Sequence, residues 1–196
     1  MWQYGIYAVW LGVLIQILGS AAYIRNTLRG TTKPNRVTWF FWAVAPLIGA
    51  AAAIVDGVKW AVLPVLVVGF IPLLVLIASF KNKNAYWKLG TFDYLCGICS
   101  ALALVLWFIT SQPVIAIMFA IIADALAALP TLAKSWTNPE TETSIEYVAS
   151  VFSALTCFLA IKMWSISEYA FPLYLIVING AVLLVIYRKR IIHYFN

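Results

Sequence analysis

Long apolar runs alternate with short polar segments along the whole chain, and this pattern predicts its elements. A helix needs roughly 20 residues to cross a bilayer core, and seven runs have about that length. They cover Tyr4–Ile24, Val37–Val55, Trp60–Phe80, Phe92–Thr110, Pro113–Ala133, Ile145–Met163 and Tyr169–Tyr187. We see no alternating runs of about ten residues, which would indicate barrel strands. The pattern predicts an all-α integral membrane protein with seven transmembrane helices.

Composition strengthens this prediction. Of the 196 residues, 64% are hydrophobic and only 10% are charged, and the mean hydropathy is +0.95. These values exceed what a soluble domain of this length needs for its core. The segment Met1–Tyr7 lacks the basic region of a signal peptide, so the first apolar run is expected to be retained as a helix.

The basic residues divide unequally between the two sides of the predicted membrane. Eleven of the thirteen follow the first, third, fifth or seventh run, and only Lys59 and Lys162 lie in the other connections. The eleven are Arg25, Arg29, Lys33, Arg36, Lys81, Lys83, Lys88, Lys134, Arg188, Lys189 and Arg190. Because short cytoplasmic loops collect Lys and Arg, we predict the N-terminus outside and the C-terminus in the cytoplasm of a multi-pass cell-membrane protein.

The net charge of +6 is explained by this topology and by attraction to anionic lipids. We therefore expect the lipid bilayer as a partner and no nucleic acid. Tryptophans near predicted helix ends are interpreted mostly as anchors in the aromatic belts of the membrane interface. They are Trp2, Trp10, Trp39, Trp42, Trp60, Trp87, Trp136 and Trp164.

Seven helices divide into two similar halves. The first three and the last three enter from the same side, and the fourth reverses the chain between them. This plan predicts two parallel three-helix units, residues 1–83 and 113–196, joined by a linker helix in residues 84–112. An offset of 108 superposes Gln16 on Asp124 and Trp39 on Tyr147, although identities elsewhere are few.

The segment LPTLAKSW places Pro130 and Thr131 at the inner end of the fifth helix, followed by a basic residue. With the three-plus-one-plus-three plan, it resembles the proline-centred signature of the SWEET, SemiSWEET and PQ-loop transporters. The plan is also similar to that of the nicotinamide riboside transporters. The resemblance covers nearly the whole chain in topology. It implies alternating access for a small polar solute, such as a sugar or a vitamin- or nucleoside-like compound.

The resemblance also implies particular residues. Hinge prolines of the family match Pro130 and, less closely, Pro46, and Asn179 resembles the helix 7 asparagine of the SWEET binding site. The first unit departs from the family pattern, because Ala22 stands where the proline is expected and Ile71 where the second asparagine is expected.

Four polar residues are predicted near the middle of the bilayer by counting about 1.5 Å per helical residue: Gln16, Asp124, Thr156 and Asn179. Repeat-built transporters bind their substrate at this depth, so these four are the candidate substrate-binding residues. An ionised Asp124 there would cost about 2.5–3.5 kcal/mol. A bound solute or a coupling proton would offset that cost. The alternative is that these side chains only form hydrogen bonds between helices.

We also make predictions for the connection between the fifth and sixth helices and for the starts of the sixth and second helices, all on the predicted cytoplasmic side. Glu140 and Glu142 could pair with arginines of the first connection as an inner gate, or form a solvated loop whose ion pairs contribute under about 1 kcal/mol. Thr143 and Glu146 have the spacing of a capping box at the start of the sixth helix, and Asn35 is expected to cap the second.

Enzyme activity has little support in the sequence. Cys96 and Cys99 form a Cys-x-x-Cys pair without a second ligand pair, and the only histidine, His193, lies in the basic tail. We therefore expect no catalytic residues, no metal and no cofactor. A non-transporting membrane receptor or assembly factor of the same fold remains the alternative to a transporter, and association into homo-oligomers stays open.

Overall fold

A computed structural model describes residues 2–55, 63–110, 112–161 and 164–195, and these residues contain seven α-helices and no strand. The helices are α1 (Trp2–Arg29), α2 (Arg36–Val55), α3 (Leu63–Lys81), α4 (Thr91–Ile109), α5 (Pro113–Thr137), α6 (Ser144–Phe158) and α7 (Ile166–Phe195). Each corresponds to one predicted apolar run, which confirms the all-α class. Trp60, Met163, Lys59 and Lys162, to which predictions were attached, lie outside the described residues.

Among the described residues, four helices are long and apolar enough to cross a membrane, which indicates a membrane protein. The qualifying segments are Tyr7–Arg29, Thr91–Ile109, Val114–Thr137 and Glu168–Arg188. The described apolar parts of α2, α3 and α6 are shorter, and α6 ends before its predicted limit. Large apolar side chains are exposed along α4, as expected of a surface that faces lipid rather than water. They include Phe92, Leu95, Ile98, Leu102 and Val105.

The helices pack in the same order in both halves of the chain. In the first half α3 lies between α1 and α2, and in the second half α7 lies between α5 and α6. In the described residues α1 has no direct packing against α2, nor α5 against α6. The halves meet where α1 packs along α6 and where α2 contacts α5, so six helices form a closed ring. Helix α4 packs outside this ring against α5 and α2.

Three glycines allow α1 to lie close against α6. Gly5, Gly12 and Gly19 are seven residues apart and so share one face of the helix. A Cβ at Gly12 would overlap the hydroxyl of Thr156, and one at Gly19 would lie 2.6 Å from the Cβ of Ala149. Small residues permit this close approach of helix backbones in membranes. The α1–α6 seam therefore depends on the absence of side chains at these positions.

This seam gives a stability prediction with a matched control. Gly19→Ala is expected to lower the free energy of unfolding by about 1–3 kcal/mol, because the added methyl group overpacks the seam. Gly180→Ala in α7 meets nothing within 4 Å and is expected to be neutral or stabilising, since alanine favours helices. Thermal unfolding of the two purified variants measures the difference. Equal melting temperatures would contradict the prediction.

One tryptophan that was predicted to lie at the membrane interface, Trp39, belongs to the buried core instead. Trp39 is 1% exposed and clusters with Tyr23, Val75, Tyr147 and Val182. Its ring lies 4.7 Å from that of Tyr23. The interfacial interpretation is therefore wrong for Trp39, because its position near a helix end also faces the centre of the helix ring. Trp10, Trp136 and Trp164 are more than half exposed, as anchors would be.

The connections after α1, α3 and α5 meet at one end of the bundle, which we call the basic end. The backbone amide of Lys33 donates to the carbonyl of Thr141 at 2.9 Å, and the Asn82 amide donates to Leu28 O. Asn35 caps α2, as predicted, by accepting from the amide of Val37. Its own side-chain amide donates to Asp93 at the start of α4. These bonds hold the connections of both halves together.

Candidate functional site

A cavity of about 520 Å³ lies among the helices and is lined by residues of the six ring helices and of α4. Its volume is within the range of ligand pockets for small molecules, about 300–1,000 Å³. Most of the lining is apolar or aromatic. The non-aromatic polar side chains that line it, apart from the thiol of Cys157, are Gln16, Asp124, Glu146, Ser150, Ser153 and Asn179.

Three of the four predicted binding residues line this one cavity. Gln16 reaches it from α1, Asp124 from α5 and Asn179 from α7. Thr156 does not line it. Its hydroxyl donates to Ser153 O at 2.7 Å and packs at Gly12 in the α1–α6 seam. Depth along a helix does not say which way a side chain points around it. We therefore do not include Thr156 among the residues of the candidate site.

Glu146 also lines the cavity, a position that its place in the sequence did not indicate. Its Oε1 accepts a hydrogen bond from Gln16 Nε2 at 2.6 Å. Its Oε2 has no hydrogen-bond partner among the described residues, although Glu146 is only 4% exposed. The predicted capping box is not formed, since the Thr143 side chain makes no capping bond. Packing against α1 turns the Glu146 carboxylate inward instead.

Asp124 is held by a tyrosine of α7. Tyr174 donates its hydroxyl to Asp124 Oδ2 at 2.7 Å. Gln16, the residue 108 positions earlier, donates to Glu146 and not to this carboxyl. Asn179 donates to the Leu175 carbonyl one turn earlier, at 2.8 Å. Asp124 and Glu146 thus reach the cavity from different helices, and the hydrogen bonds described for both come from neutral side chains.

The lining positions repeat along the chain. In six pairs of lining residues the two members are 108 positions apart, the offset that superposes the two predicted three-helix units. The pairs are Gln16 and Asp124, Trp39 and Tyr147, Trp42 and Ser150, Ala45 and Ser153, Pro46 and Ala154, and Ile71 and Asn179. The side chains differ within each pair, so the repeat is one of position and not of chemistry.

Aromatic side chains form much of the remaining wall. Those that line the cavity are Trp39, Phe41, Trp42, Trp107, Tyr147 and Phe171. Trp39 and Trp42 also contact each other edge to face, with ring centroids 5.3 Å apart. The cavity therefore combines acidic groups with flat apolar surfaces.

A buried ion pair adjoins the cavity at the basic end. Lys134 of α5 pairs with Glu142, and their side chains are 1% and 0% exposed. Tyr23 and Tyr147 each donate a hydroxyl to Glu142 Oε2 at 2.8 Å. Tyr147 also lines the cavity, so this cluster directly adjoins it. We call these four residues the inner cluster.

The inner cluster corrects the expected gate. Glu142 was expected to pair with arginines of the first connection or to be solvated, and both expectations are wrong because it is buried against Lys134. Glu140 is exposed and accepts from Asn138. A second cross-connection lies nearby, where the hydroxyl of Thr131 donates to that of Thr38 at 3.0 Å.

The two candidate hinge prolines lie in different surroundings. Pro46 is inside α2 and lines the cavity. Pro130 is inside α5, fully buried, and does not line the cavity. It directly precedes Thr131, whose bond to Thr38 connects α5 to α2. Each proline interrupts the backbone hydrogen bonds of its helix, and a bend there would move the α2–α5 contact.

Among the described residues, no group of three or more His, Cys, Asp or Glu side chains is arranged to hold a metal ion. Comparisons of this chain with protein-family models, with curated proteins and with solved structures find no match. Its function is therefore inferred from the cavity and its surroundings.

Proposed function

We propose that the protein is a multi-pass transporter of the cell membrane that moves a small polar solute by alternating access. In this proposal α1–α3 and α5–α7 are two parallel three-helix units, and α4 joins them. The N-terminus lies outside and the basic end faces the cytoplasm. The units rock against each other around the central cavity, which opens to one side at a time.

The observation that carries this proposal is the position of the cavity between the two halves of the helix ring. Six pairs of lining residues are related by one offset, and Lys33 and Thr141, which bond across the basic end, are also 108 apart. Both facts fit two units related by an approximate two-fold rotation. Transporters built from such repeats bind their substrate between the repeats.

The inner cluster supports another part of the proposal, namely that the path from the cavity to the basic end can open and close. Tyr23 of the first unit bonds Glu142 of the second, and the main chains of the two connections bond directly. These contacts join the two halves at the basic end in the described conformation. They consist of a few hydrogen bonds and one ion pair, which a solute-driven rotation of the units can exchange for other contacts.

Uptake into proteoliposomes tests the proposal. A thermal-shift screen of the purified protein first selects solutes that stabilise it, and radiolabelled forms of these solutes are then offered to sealed vesicles. We expect saturable uptake that exceeds the uptake of protein-free vesicles. Ala154→Trp, which places a large ring in the cavity lining, is expected to reduce uptake by at least about tenfold.

The matched control is Leu155→Trp, one residue along the same helix at a half-exposed position that does not line the cavity. It should transport normally. Solutes that stabilise the protein without any uptake would contradict transport and favour a receptor on the same fold.

A further inference from the structure

The formal charges that line the cavity are all negative. Asp124 and Glu146 are the acidic lining residues, and no Lys, Arg or His is among the lining residues that the structure describes. Two described cations of α5 and α2 are engaged at the basic end: Lys134 pairs with Glu142 and Arg36 bonds Ser79. Arg188 of α7 donates to main-chain carbonyls there. Among the side chains that the structure describes, the two carboxylates therefore have no counter-ion.

Several polar groups that line the cavity are already engaged in hydrogen bonds. The amide nitrogen of Gln16 donates to Glu146, and that of Asn179 donates to Leu175 O. Tyr174 and Tyr147 donate to Asp124 and Glu142. Glu146 Oε2 remains buried without a donor. The indole nitrogens of Trp39 and Trp42, which also line the cavity, are likewise buried without a hydrogen-bond partner among the described residues. The cavity therefore offers a ligand acceptor oxygens and ring N–H donors, and its net formal charge is the feature that selects the class of ligand.

The aromatic wall narrows the class of ligand further. A cation over the face of a tryptophan or tyrosine ring is attracted by the ring quadrupole, and Trp39, Trp42 and Trp107 all line the cavity. An anion would meet two carboxylates and no cation. A neutral solute would leave both carboxylates without a counter-ion.

We propose that the cavity binds an organic cation, an amine or quaternary ammonium compound with an apolar body, between the carboxylates of Asp124 and Glu146 and the tryptophan faces. This deepens the proposed function, and as a statement about the transported solute it rests on that function. The cation supplies the positive charge that both carboxylates lack. Its apolar body contacts the aromatic wall.

Binding to the unmodified protein gives the first test, with benzyltrimethylammonium as the probe. Its uncharged carbon isostere, in which the quaternary nitrogen is replaced by carbon, has the same shape. Melting temperature and tryptophan fluorescence of the purified protein report binding, since three tryptophans line the cavity. We expect the ammonium compound to raise the melting temperature and change the fluorescence, and the isostere to bind at least about tenfold more weakly. Equal binding of both would overturn the proposal.

Charge-removing variants give the second test. Asp124→Asn and Glu146→Gln keep the size of each side chain. Each is expected to raise the Kd of the probe by at least about tenfold, or 1.4 kcal/mol. Glu140→Gln removes the same charge from an exposed position outside the cavity and should leave Kd unchanged. An unchanged Kd in both cavity variants would also overturn the proposal. The isostere comparison decides the matter if a variant fails to fold.

This proposal and the proposed function fail in different ways. If the probe binds as expected but no cation crosses proteoliposomes, the binding site stands and transport is contradicted. If only neutral or anionic solutes are taken up, transport stands and the cation proposal is contradicted.

Discussion

Glu142→Gln is expected to lower the free energy of unfolding by about 3–5 kcal/mol, because it leaves the buried ammonium of Lys134 without its counter-ion. Lys134→Met should cost less, since Glu142 would keep its hydrogen bonds from Tyr23 and Tyr147. The double variant should recover much of the loss, because a neutral pair strands no charge. Unfolding of all three variants by denaturant, with the wild type, gives the coupling energy of the pair.

Glu140→Gln serves as the control, because Glu140 lies two residues away and is exposed. Its effect should stay within about 0.5 kcal/mol. If Glu142→Gln changes the free energy of unfolding no more than this control does, water reaches the ion pair. The inner cluster would then not separate the cavity from the basic end.

A disulfide between positions 38 and 131 is expected to stop transport. The hydroxyl oxygens of Thr38 and Thr131 lie 3.0 Å apart across α2 and α5, so the thiols of cysteines at these positions are expected to lie close enough to react under oxidant. Thr38→Cys with Thr131→Cys, in a chain whose native cysteines are replaced, would covalently join the two units. Because alternating access requires the units to separate there, oxidation should reduce uptake by at least about tenfold.

Each single-cysteine variant should transport normally under oxidant, and dithiothreitol should restore the double variant. Mass spectrometry of the intact chain confirms that the bond has formed. Full uptake by a chain that is shown to be crosslinked would mean that α2 and α5 do not move apart at the basic end, which contradicts the rocking proposal.

The helices could be predicted because the apolar runs are long and their limits carry local signals. Asn35 is a capping residue by type, and its capping bond to Val37 is formed. The predicted ends of a helix are wrong where the sequence carries no local signal for them. Helix α6 ends at Phe158, inside an apolar run that continues without a glycine or proline.

The polar lining of the cavity was predictable in part, from depth along each helix, while its role in binding stays a prediction. Gln16, Asp124 and Asn179 were found this way, but depth does not give the direction of a side chain, and so Thr156 was included. Glu146 was missed because its spacing from Thr143 already had a local explanation as a cap. Its bond to Gln16 spans 130 residues of sequence, and no local pattern contains a contact of that separation.

The glycine seam between α1 and α6 determines where the two halves can separate. Three glycines bring these backbones together along α1, and the packing of α1 on α6 is more extensive than that of α2 on α5. A rotation that preserves the tighter contact must pivot about the α1–α6 line, so the largest displacement falls on the opposite side. There α4 packs extensively on α5 and only slightly on α2. During such a rotation α4 would travel with α5, and the widening gap would lie between α2 and the pair α4–α5.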